Sequence, residues 1–316
     1  MRRRRAARRH RASSSRVRSI AATSAGGKRR DLPELPETET IARDLDAMVC
    51  GATIVGVDVL KADVLREADA AGFAAALNGL AIAHVWRRAK LIVLDMRPPA
   101  ARTDAADPPW RIVVQPRFTG GMVVDEGSLT EADRAYVAVT LRLHDGRALH
   151  YRDVRRLGTV ALMSPERFTK YSSALGAEPL DPQLGDAEFS GLVRESKQAI
   201  KVFLMDQKRL AGVGNIYANE ALWLAGIDPS REARTLSEQE SAALRAQLCA
   251  VLTASIAARG TSFRDYRDAR GERGSFVEQL AAYGRAGEPC LSCGRRLVGT
   301  HAIDGRSTVF CSNCQR

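Results

Sequence analysis

The chain has 316 residues, 45% of them hydrophobic and 27% charged, which is enough for two ordinary domains and a small third unit. No apolar run approaches the roughly 18 residues that a membrane-spanning helix needs, so a helical membrane protein is excluded. The formal net charge is +11, but residues 1–32 hold twelve of the 48 basic residues and one of the 37 acidic ones. Residues 33–316 are therefore neutral overall, and net charge alone is weak support for nucleic-acid binding.

Residues 1–32 form an arginine-rich segment without an aromatic residue or an apolar face, and this composition predicts disorder. Three interpretations stay open: a nucleic-acid-binding tail, an organelle transit peptide, or sequence upstream of the true translation start. The third is favoured because Leu32 directly precedes PELPE at 33–37, and leucine codons of the UUG or CUG type can start translation in bacteria. Initiation there, followed by removal of the initiator methionine, would make Pro33 the first residue.

The body of the chain predicts strands first and helices later. An extended start at 33–37 leads into one helix, because apolar residues recur at helical spacing at Ile41, Leu45, Met48 and Val49. Short segments rich in Val, Ile and Leu follow, separated by Gly, Pro and Asp, and this pattern predicts a β-sandwich or barrel. These segments are residues 52–60, 80–87, 90–96, 110–115, 121–125, 136–144, 147–152 and 158–163.

Beyond residue 180 the periodicity becomes helical. The predicted helices are residues 186–196, 198–206, 215–226 and 237–259. Asp186 and Ser237 are the predicted caps of the first and the last of them. Two loops are also predicted, a proline-rich one at 97–109 and a Gly- and Arg-rich one at 260–275.

Four of the six cysteines have the spacing C-x2-C-x17-C-x2-C near the C-terminus. They are Cys290, Cys293, Cys311 and Cys314. Two close pairs in a chain without a secretory signal indicate one structural, tetrahedrally coordinated Zn²⁺ rather than disulfides. Cys50 and Cys249 lie in apolar helical contexts, and we expect them to be buried structural thiols.

Four blocks of the sequence resemble the formamidopyrimidine-DNA glycosylases. They are PELPETET at 33–40, RRAK at 87–90, GVGNIYANEAL at 212–222, and the terminal zinc ribbon with GRSTVFC at 305–311. Each block is modest alone, but coincidence does not explain all four in this order and spacing. The resemblance covers most of residues 33–316.

The resemblance implies an α+β multidomain fold that binds DNA in the cleft between its halves. After the basic extension 1–32, it implies a catalytic N-terminal β-sandwich domain at 33–165. A helical helix–two-turns–helix DNA-binding domain follows at 180–275, and a C-terminal zinc-ribbon finger at 286–316.

The activity implied by the resemblance is that of a bifunctional DNA glycosylase/AP lyase of base excision repair. It would flip an oxidised purine, such as 8-oxoguanine or a formamidopyrimidine, out of damaged double-stranded DNA and excise it. Pro33 would attack the sugar C1′ as a free secondary amine, forming an iminium that permits β,δ-elimination. An amide-linked proline has no such lone pair, so the resemblance requires removal of everything before Pro33. It further implies a monomer in the bacterial cytoplasm, on nucleoid DNA, with no nucleotide cofactor.

The resemblance assigns catalytic roles to three further residues. Glu34 would transfer a proton at the deoxyribose ring oxygen, Lys90 would grip a phosphate beside the lesion, and Arg306 would bind a phosphate flanking the flipped nucleotide. Each has a plainer interpretation: a glutamate that complements a helix dipole, a solvated lysine at a strand edge, and an exposed turn arginine.

The remaining implied residues would contact or support the DNA. Glu37 would hold water or the amine near the site, and Asn215, at a helix start after a glycine turn, would face a DNA phosphate. Arg264 would lie on the loop that covers the extruded base. Its plainer interpretation as a surface arginine has nearly equal weight.

Three residues would fill the gap left by the flipped nucleotide. Phe118 in QPRFTGG stands where methionine is usual, Arg155 in DVRRLGT matches the usual arginine, and Leu157 replaces phenylalanine. An aromatic residue has thus moved from one loop to the other. Discrimination of the base opposite the lesion therefore stays open.

Two other functions are weighed. An endonuclease VIII-like glycosylase for oxidised pyrimidines is disfavoured by PELPE, where that branch typically has PEGPE, but the altered gap-filling residues keep it open. A catalytically silent lesion-binding protein is expected if residues 1–32 stay attached to Pro33. An unrelated zinc-ribbon DNA-binding protein does not explain PELPE and Lys90 together.

Overall fold

The computed structural model describes residues 33–99, 109–127, 129–262 and 267–316. Three sequence predictions lie outside these residues: those for the extension 1–32, for Arg264, and for positions 100–108 of the proline-rich loop.

Two β-sheets follow helix α1 (Leu35–Val49), and nine strands build them. The strands are β1 (Ile54–Val59), β2 (Leu65–Arg66), β3 (Ala81–Arg88), β4 (Leu91–Arg97), β5 (Trp110–Gln115), β6 (Gly120–Asp125), β7 (Val137–Leu143), β8 (Ala148–Asp153) and β9 (Thr159–Met163). One sheet has the order β1-β7-β8-β6 and the other β2-β9-β5-β4-β3. Pairing is antiparallel apart from the short parallel pair β2–β9. The predicted β-sandwich is confirmed.

The sandwich core follows from the two-residue period of the strands. On β4, Ile92 and Leu94 belong to the main core together with Leu141 of the other sheet. Leu91 and Val93, at the alternate positions, pack on the outer face against α4 (Pro165–Ser172). Strand β4 is buried on both faces, which explains its unbroken apolar run.

The helical half has a core of its own. Its helices are α5 (Asp186–Arg194), α6 (Ile200–Met205), α7 (Asn215–Ala225) and α8 (Glu238–Ala257). The predicted cap Ser237 is confirmed, since its hydroxyl accepts from the N–H of Glu240 at 3.1 Å. The predicted cap Asp186 is wrong by one position, because Gly185 is the N-cap. Asp186 instead lies in the first turn, where its charge favours the helix dipole, and binds Arg245 at 2.6 Å.

The sequence analysis missed α2 (Ala70–Leu77), α3 (Glu131–Arg134), α4 and β2. Each of the three helices has an N-cap that the sequence contains: Asp69, Thr130 and Ser164 accept the N–H three residues further on. Helices of four to eight residues are too short for the periodicity to emerge, so only their caps could have identified them.

The expectation that Cys50 and Cys249 are buried is wrong for Cys50, which is exposed, while Cys249 is half-buried. Cys50 is the C-cap of α1, one residue beyond the apolar stripe, and its thiol donates to the Ala83 carbonyl at 3.1 Å. An apolar neighbourhood in sequence therefore did not place this side chain in the core.

A two-stranded hairpin of β10 (Val298–Thr300) and β11 (Thr308–Phe310) ends the chain. The described residues belong to one compact unit, and the division into domains at 33–165, 180–275 and 286–316 stays a prediction. Within the described residues, no helix has the length and apolarity required to cross a membrane.

Candidate active site and nucleic-acid interface

The segment that begins at Pro33 lies between the sandwich and the helical half. Pro33 is buried. Two residues later, the N–H of Leu35 donates to the Gly212 carbonyl at 3.0 Å, and the Leu35 side chain belongs to the helical core. Gly212 has φ +88°, and a Cβ there would lie 2.9 Å from Leu35. The glycine is therefore required twice, for its backbone conformation and for this close approach.

The Glu34 carboxylate is buried at the start of helix α7. Its Oε1 accepts the N–H of Ile216 at 3.1 Å, while Oε2 has no hydrogen-bond partner among the described residues. A Cβ on Gly214 would lie 2.1 Å from Glu34 Cδ, so only glycine allows the carboxylate this position. The GVGN block thus packs directly against the Glu34 carboxylate.

Glu34 and Lys90 influence each other's charge. Burial raises the pKa of Glu34, the Lys90 ammonium lowers it and Glu37 raises it, with a result of about 7. Burial lowers the pKa of Lys90, against the attraction of Glu34. A carboxyl group that titrates near neutral pH can both donate and accept a proton at the working pH of an enzyme.

Lys90 is positioned by a turn that the linker between the halves holds in place. Glu178 accepts from Arg87 and Arg88 at 2.6 Å each, and from the N–H of Ala89 at 2.7 Å. Ala89 has φ +53°, an uncommon conformation for a residue other than glycine. The two arginines of RRAK are therefore anchors for the turn. The sequence analysis missed Glu178, which no local motif marks.

Glu37 fastens α1 to the helical half. Its carboxylate accepts from the N–H of Glu34 at 2.9 Å, the hydroxyl of Tyr217 at 2.5 Å and the N–H of Thr261 at 2.7 Å. Burial raises its pKa, and Tyr217 lowers it. Glu37 thus fixes the backbone that carries Glu34, and Tyr217, within NIYANEAL, is a site residue that the sequence analysis missed.

The tip of the β10–β11 hairpin is held by a fully buried lysine. Lys201 of α6 donates to the Thr308 hydroxyl at 2.8 Å and approaches the Asp304 carboxylate at 3.2 Å. Arg306, at the tip, is exposed, and its charge lowers the pKa values of both Lys90 and Lys201, after the larger effect of burial. The fold therefore directs three cationic groups toward one region.

Asn215 lies at the first turn of α7, as predicted, but its described partners are internal. Its side-chain amide donates to the Ser307 carbonyl at 3.0 Å, and the N–H of Ile216 is bound by Glu34. Asn219, one turn later, accepts from the N–H of Val309 at 2.7 Å. The start of α7 thus joins Glu34 to the hairpin, and contact of Asn215 with a DNA phosphate stays a prediction.

Phe118, Arg155 and Leu157 lie on two adjacent loops next to Pro33. Phe118 and Pro33 line one pocket of about 20 Å³, room for roughly one water molecule. The guanidinium carbon of Arg155 is 4.7 Å from the centre of the Phe118 ring, and the Leu157 residue is 43% exposed. Phe118 and Arg155 therefore form one partly apolar edge beside the buried proline, and the exposed Leu157 lies on the same loop as Arg155.

The four clustered cysteines can hold a metal ion. Their sulfur atoms all lie within 4.8 Å of one another, and those of Cys293 and Cys311 are 3.4 Å apart. Zn–S bonds of about 2.3 Å in a tetrahedron place sulfurs ~3.8 Å apart, so the cluster fits such an ion. Burial raises the pKa of Cys290, but the backbone N–H groups of Cys293 and Ser292 outweigh it and bring the pKa to about 6. Four sulfur ligands leave no open position for a reacting water.

Two family models match the chain. The model of the formamidopyrimidine-DNA glycosylase N-terminal domain matches residues 32–160, and that of the formamidopyrimidine-DNA glycosylase H2TH domain matches residues 175–267. The formamidopyrimidine-DNA glycosylase of Desulfitobacterium hafniense (strain DSM 10664 / DCB-2) is 40% identical over 286 residues, which is 90% of this chain and 100% of that protein. That of Chloroflexus aggregans is 38% identical over 284 residues, covering 90% and 98%.

Solved structures are similar to this chain as well. The Lactococcus lactis Fpg in complex with DNA containing an abasic site has a TM-score of 0.78 at 28% identity, covering 90% of this chain and 99% of that one. A complex of the L. lactis protein with DNA containing N7-benzyl-Fapy-dG has a TM-score of 0.79 at 28% identity, covering 90% and 100%. With 40% identity over nine-tenths of its length, the chain belongs to the formamidopyrimidine-DNA glycosylase family.

Proposed function

We propose that this protein is a bifunctional DNA glycosylase/AP lyase of base excision repair that excises oxidised purines, 8-oxoguanine and formamidopyrimidines, from double-stranded DNA. The observation that carries the proposal is the arrangement around Pro33. The buried proline is followed by a buried carboxyl group, Glu34, whose pKa lies near neutrality and whose charge is balanced by Lys90. The solved relatives described above were crystallised with damaged DNA.

In the proposed mechanism, the nitrogen of Pro33 bonds to C1′ of the damaged nucleotide and the base leaves with its bonding electrons and a proton. Glu34 protonates O4′ as the O4′–C1′ bond breaks, which leaves an iminium between the proline and C1′. Loss of the C2′ proton then expels the 3′-phosphate, and a second elimination expels the 5′-phosphate. General acid–base assistance of this kind contributes about 10²–10⁴-fold to a rate.

This mechanism requires a free amine at Pro33. We therefore propose that the active protein begins at Pro33, through initiation at Leu32 and removal of the initiator methionine. The family model that begins at residue 32, and relatives matched over their whole length by 90% of this chain, support the proposal. Intact-mass measurement of the native active protein tests it, and arginine-rich peptides from residues 2–30 in that protein would contradict it.

DNA contacts are assigned to two groups of residues. Lys90, Arg306 and Asn215 would hold phosphates around the flipped nucleotide, with Glu37 supporting the segment that carries Glu34. Phe118, Arg155 and Leu157 would fill the gap in the duplex, and Arg264 would approach the extruded base. The exposure of Arg306 beside Lys90 supports the first group, and the shared edge next to Pro33 supports the second.

We assign one structural Zn²⁺ to Cys290, Cys293, Cys311 and Cys314. The ion would fix the hairpin that carries Arg306 and would take no part in the reaction. Purified protein is expected to contain one zinc per chain, and Cys311→Ser is expected to lose it, because a thiolate ligand is removed. Cys50→Ser, at an exposed thiol outside the cluster, is the matched control. Equal zinc contents in the two variants would contradict the assignment.

Borohydride trapping on an 8-oxoguanine duplex tests the function as a whole. Protein that begins at Pro33 is expected to give a covalent DNA adduct, and protein retaining residues 1–32 is expected to give none, because its proline nitrogen is an amide. An adduct from a chain whose intact mass includes residues 1–32 would contradict the role of Pro33. Faster trapping on a thymine glycol duplex than on an 8-oxoguanine duplex would instead favour the endonuclease VIII-like function.

For either substrate, we propose that the protein acts on nucleoid DNA in the bacterial cytoplasm.

A further inference from the structure

Two loops carry the edge beside Pro33, and both are held by one carboxylate. The first loop, residues 116–119, joins β5 to β6 and carries Phe118. The second, residues 154–158, joins β8 to β9 and carries Arg155 and Leu157. Each loop crosses from one sheet to the other, because β5 and β9 belong to the five-stranded sheet and β6 and β8 to the four-stranded sheet. Pairing of β5 with β9 and of β6 with β8 fixes the ends of the loops, at Gln115–Thr159 and Gly120–Asp153, whereas the residues between these ends need another device to hold them.

Asp153, the last residue of β8, supplies that device. It is 1% exposed, and its carboxylate accepts four hydrogen bonds. Oδ1 accepts from the Thr119 hydroxyl of the first loop at 2.5 Å and from the N–H of Arg155 at 3.1 Å. Oδ2 accepts from the N–H of Gly158 at 2.8 Å and from the Tyr151 hydroxyl at 3.2 Å. One buried carboxylate thus binds donors from both loops, and such charge-assisted bonds are the stronger kind.

Two glycines bring both loops close to the Tyr151 hydroxyl that donates to Asp153. A Cβ on Gly120 would lie 2.5 Å from the Tyr151 hydroxyl, and one on Gly158 would lie 2.2 Å from it. The hydroxyl that donates to Asp153 is thus enclosed by a glycine from the end of each loop. Side chains at either glycine would push the loops apart.

Each loop also contains a residue in an uncommon conformation. Arg117 and Arg156 both have φ +52°, in the left-handed region that residues other than glycine rarely occupy. Such conformations persist where the surroundings determine them. In the second loop, Arg156 lies between Arg155 and Gly158, whose N–H groups are both bound by Asp153.

The consequence is that Arg155 and Phe118 are stacked before any DNA is present. The guanidinium carbon is 4.7 Å from the ring centre, within the range of a cation–π contact. Both partners are tied to Asp153. Arg155 donates its own N–H to Asp153, and Phe118 is followed by Thr119, whose hydroxyl donates to Asp153. The N–H of Arg155 also reaches the Thr119 hydroxyl at 3.1 Å. Loss of the Asp153 acceptor would free the two side chains to move independently.

We propose that Asp153 is a positioning residue for duplex opening: it makes Phe118 and Arg155 one preformed unit that enters the stack opposite the flipped nucleotide. This inference rests on the proposed function. Because the pair is already ordered, less conformational entropy is lost when it enters DNA. The unit also defines a surface of fixed shape against the base opposite the lesion, so Asp153 governs selectivity for that base without touching DNA.

The test compares Asp153→Asn with Asp145→Asn. Asp145 accepts the N–H of Arg147 in the turn between β7 and β8 and provides an aspartate-held turn away from the site. Excision is measured on duplexes that carry each of the four bases opposite the lesion. Borohydride trapping is measured on a single-stranded abasic oligonucleotide, in which there is no opposite strand and so no gap to fill. For Asp153→Asn we expect a loss of about tenfold or more in kcat/KM on the duplexes and a flattened ranking of opposite bases. The rate at which Asp153→Asn is trapped on the single strand is expected to stay within about twofold of that of the starting protein. Asp145→Asn is expected to stay within about twofold in both excision and trapping.

Thr119→Val provides a second route if Asp153→Asn does not fold. It removes one donor and leaves the bonds of Asp153 to Arg155 and Gly158 intact, so a smaller change of the same kind is expected. Equal losses on duplex and single strand, or an unchanged ranking of opposite bases in a folded variant, would overturn the inference and leave the proposed function standing. Starting protein that gives no adduct on either DNA would overturn both.

Discussion

The core of the sandwich and the contact between the sandwich and the helical half are held by opposite kinds of groups. Within the core, Leu94 and Leu141 are enclosed by aliphatic side chains. Between the halves, beside the apolar contact of Leu35, two buried carboxylates of α1 make polar contacts: Glu37 binds Tyr217 and Thr261, and Asp44 binds Arg259 at 2.5 Å. Apolar burial stabilises without regard to direction, whereas each ionic group requires a particular partner.

This difference shows where the protein gives up stability for function. Burying a carboxyl group such as Glu34 is unfavourable unless all its oxygens find donors, and one oxygen of Glu34 finds none among the described residues. The same burial raises the pKa of Glu34 to about 7, where it can transfer a proton. We therefore expect substitutions in the two regions to separate stability from activity.

The largest effect is expected for Glu34→Gln. The amide keeps the shape of the side chain but cannot protonate the sugar oxygen, so single-turnover excision should slow by about 10²–10⁴-fold. Stability should rise, because a buried charge is removed. Equal activity of this variant and the starting protein would show that the buried carboxyl group is structural only.

The next effect concerns the core. Leu94→Ala leaves a cavity between the sheets and should lower the free energy of unfolding by about 2–5 kcal/mol, measured by urea denaturation. Excision per folded molecule should be nearly unchanged at low temperature, because Leu94 belongs to the sandwich core and carries no group assigned to the reaction. A large loss of activity in the folded variant would contradict the separation of the two regions.

A third effect is the pH dependence of stability. The pKa of Glu34 in the folded protein is about 7, above its ordinary value of 4.5. Its protonated form therefore stabilises the fold fully below pH 4.5, and this contribution is lost as pH rises through about 7. The advantage of Glu34→Gln over the starting protein should grow from near zero at pH 4 to the order of 3 kcal/mol at pH 8. An advantage that is independent of pH would show that Glu34 has an ordinary pKa.

The smallest effect is expected for Arg43→Ala. Arg43 is exposed and pairs with Glu39 one turn earlier on α1, at 2.7 Å. Exposed pairs of this kind contribute about 0.3–0.5 kcal/mol, so thermal unfolding should hardly change. A destabilisation comparable with that of Leu94→Ala would show that this exposed ion pair on α1 contributes as much to stability as a core side chain does.

Much of this description could be predicted from the sequence. Eight of the strands follow from short Val-, Ile- and Leu-rich segments, because alternate side chains of a strand face opposite sides. The cysteine spacing predicted a metal-binding cluster, and the structure brings the four sulfurs together. The short helices and the exposure of Cys50 were not predicted, since their signals extend over too few residues.

The amino-acid sequence by itself determined eight of the nine sandwich strands, the main helices, the cysteine spacing and the blocks that contain Pro33, Glu34 and Lys90. Only the tertiary structure decided which partners these residues have. Glu34 meets Ile216, 182 positions away, and Glu37 meets Thr261, 224 positions away. Local periodicity depends on neighbours along the chain, whereas the pKa of Glu34 and the junction of two loops at Asp153 depend on groups that only folding brings together.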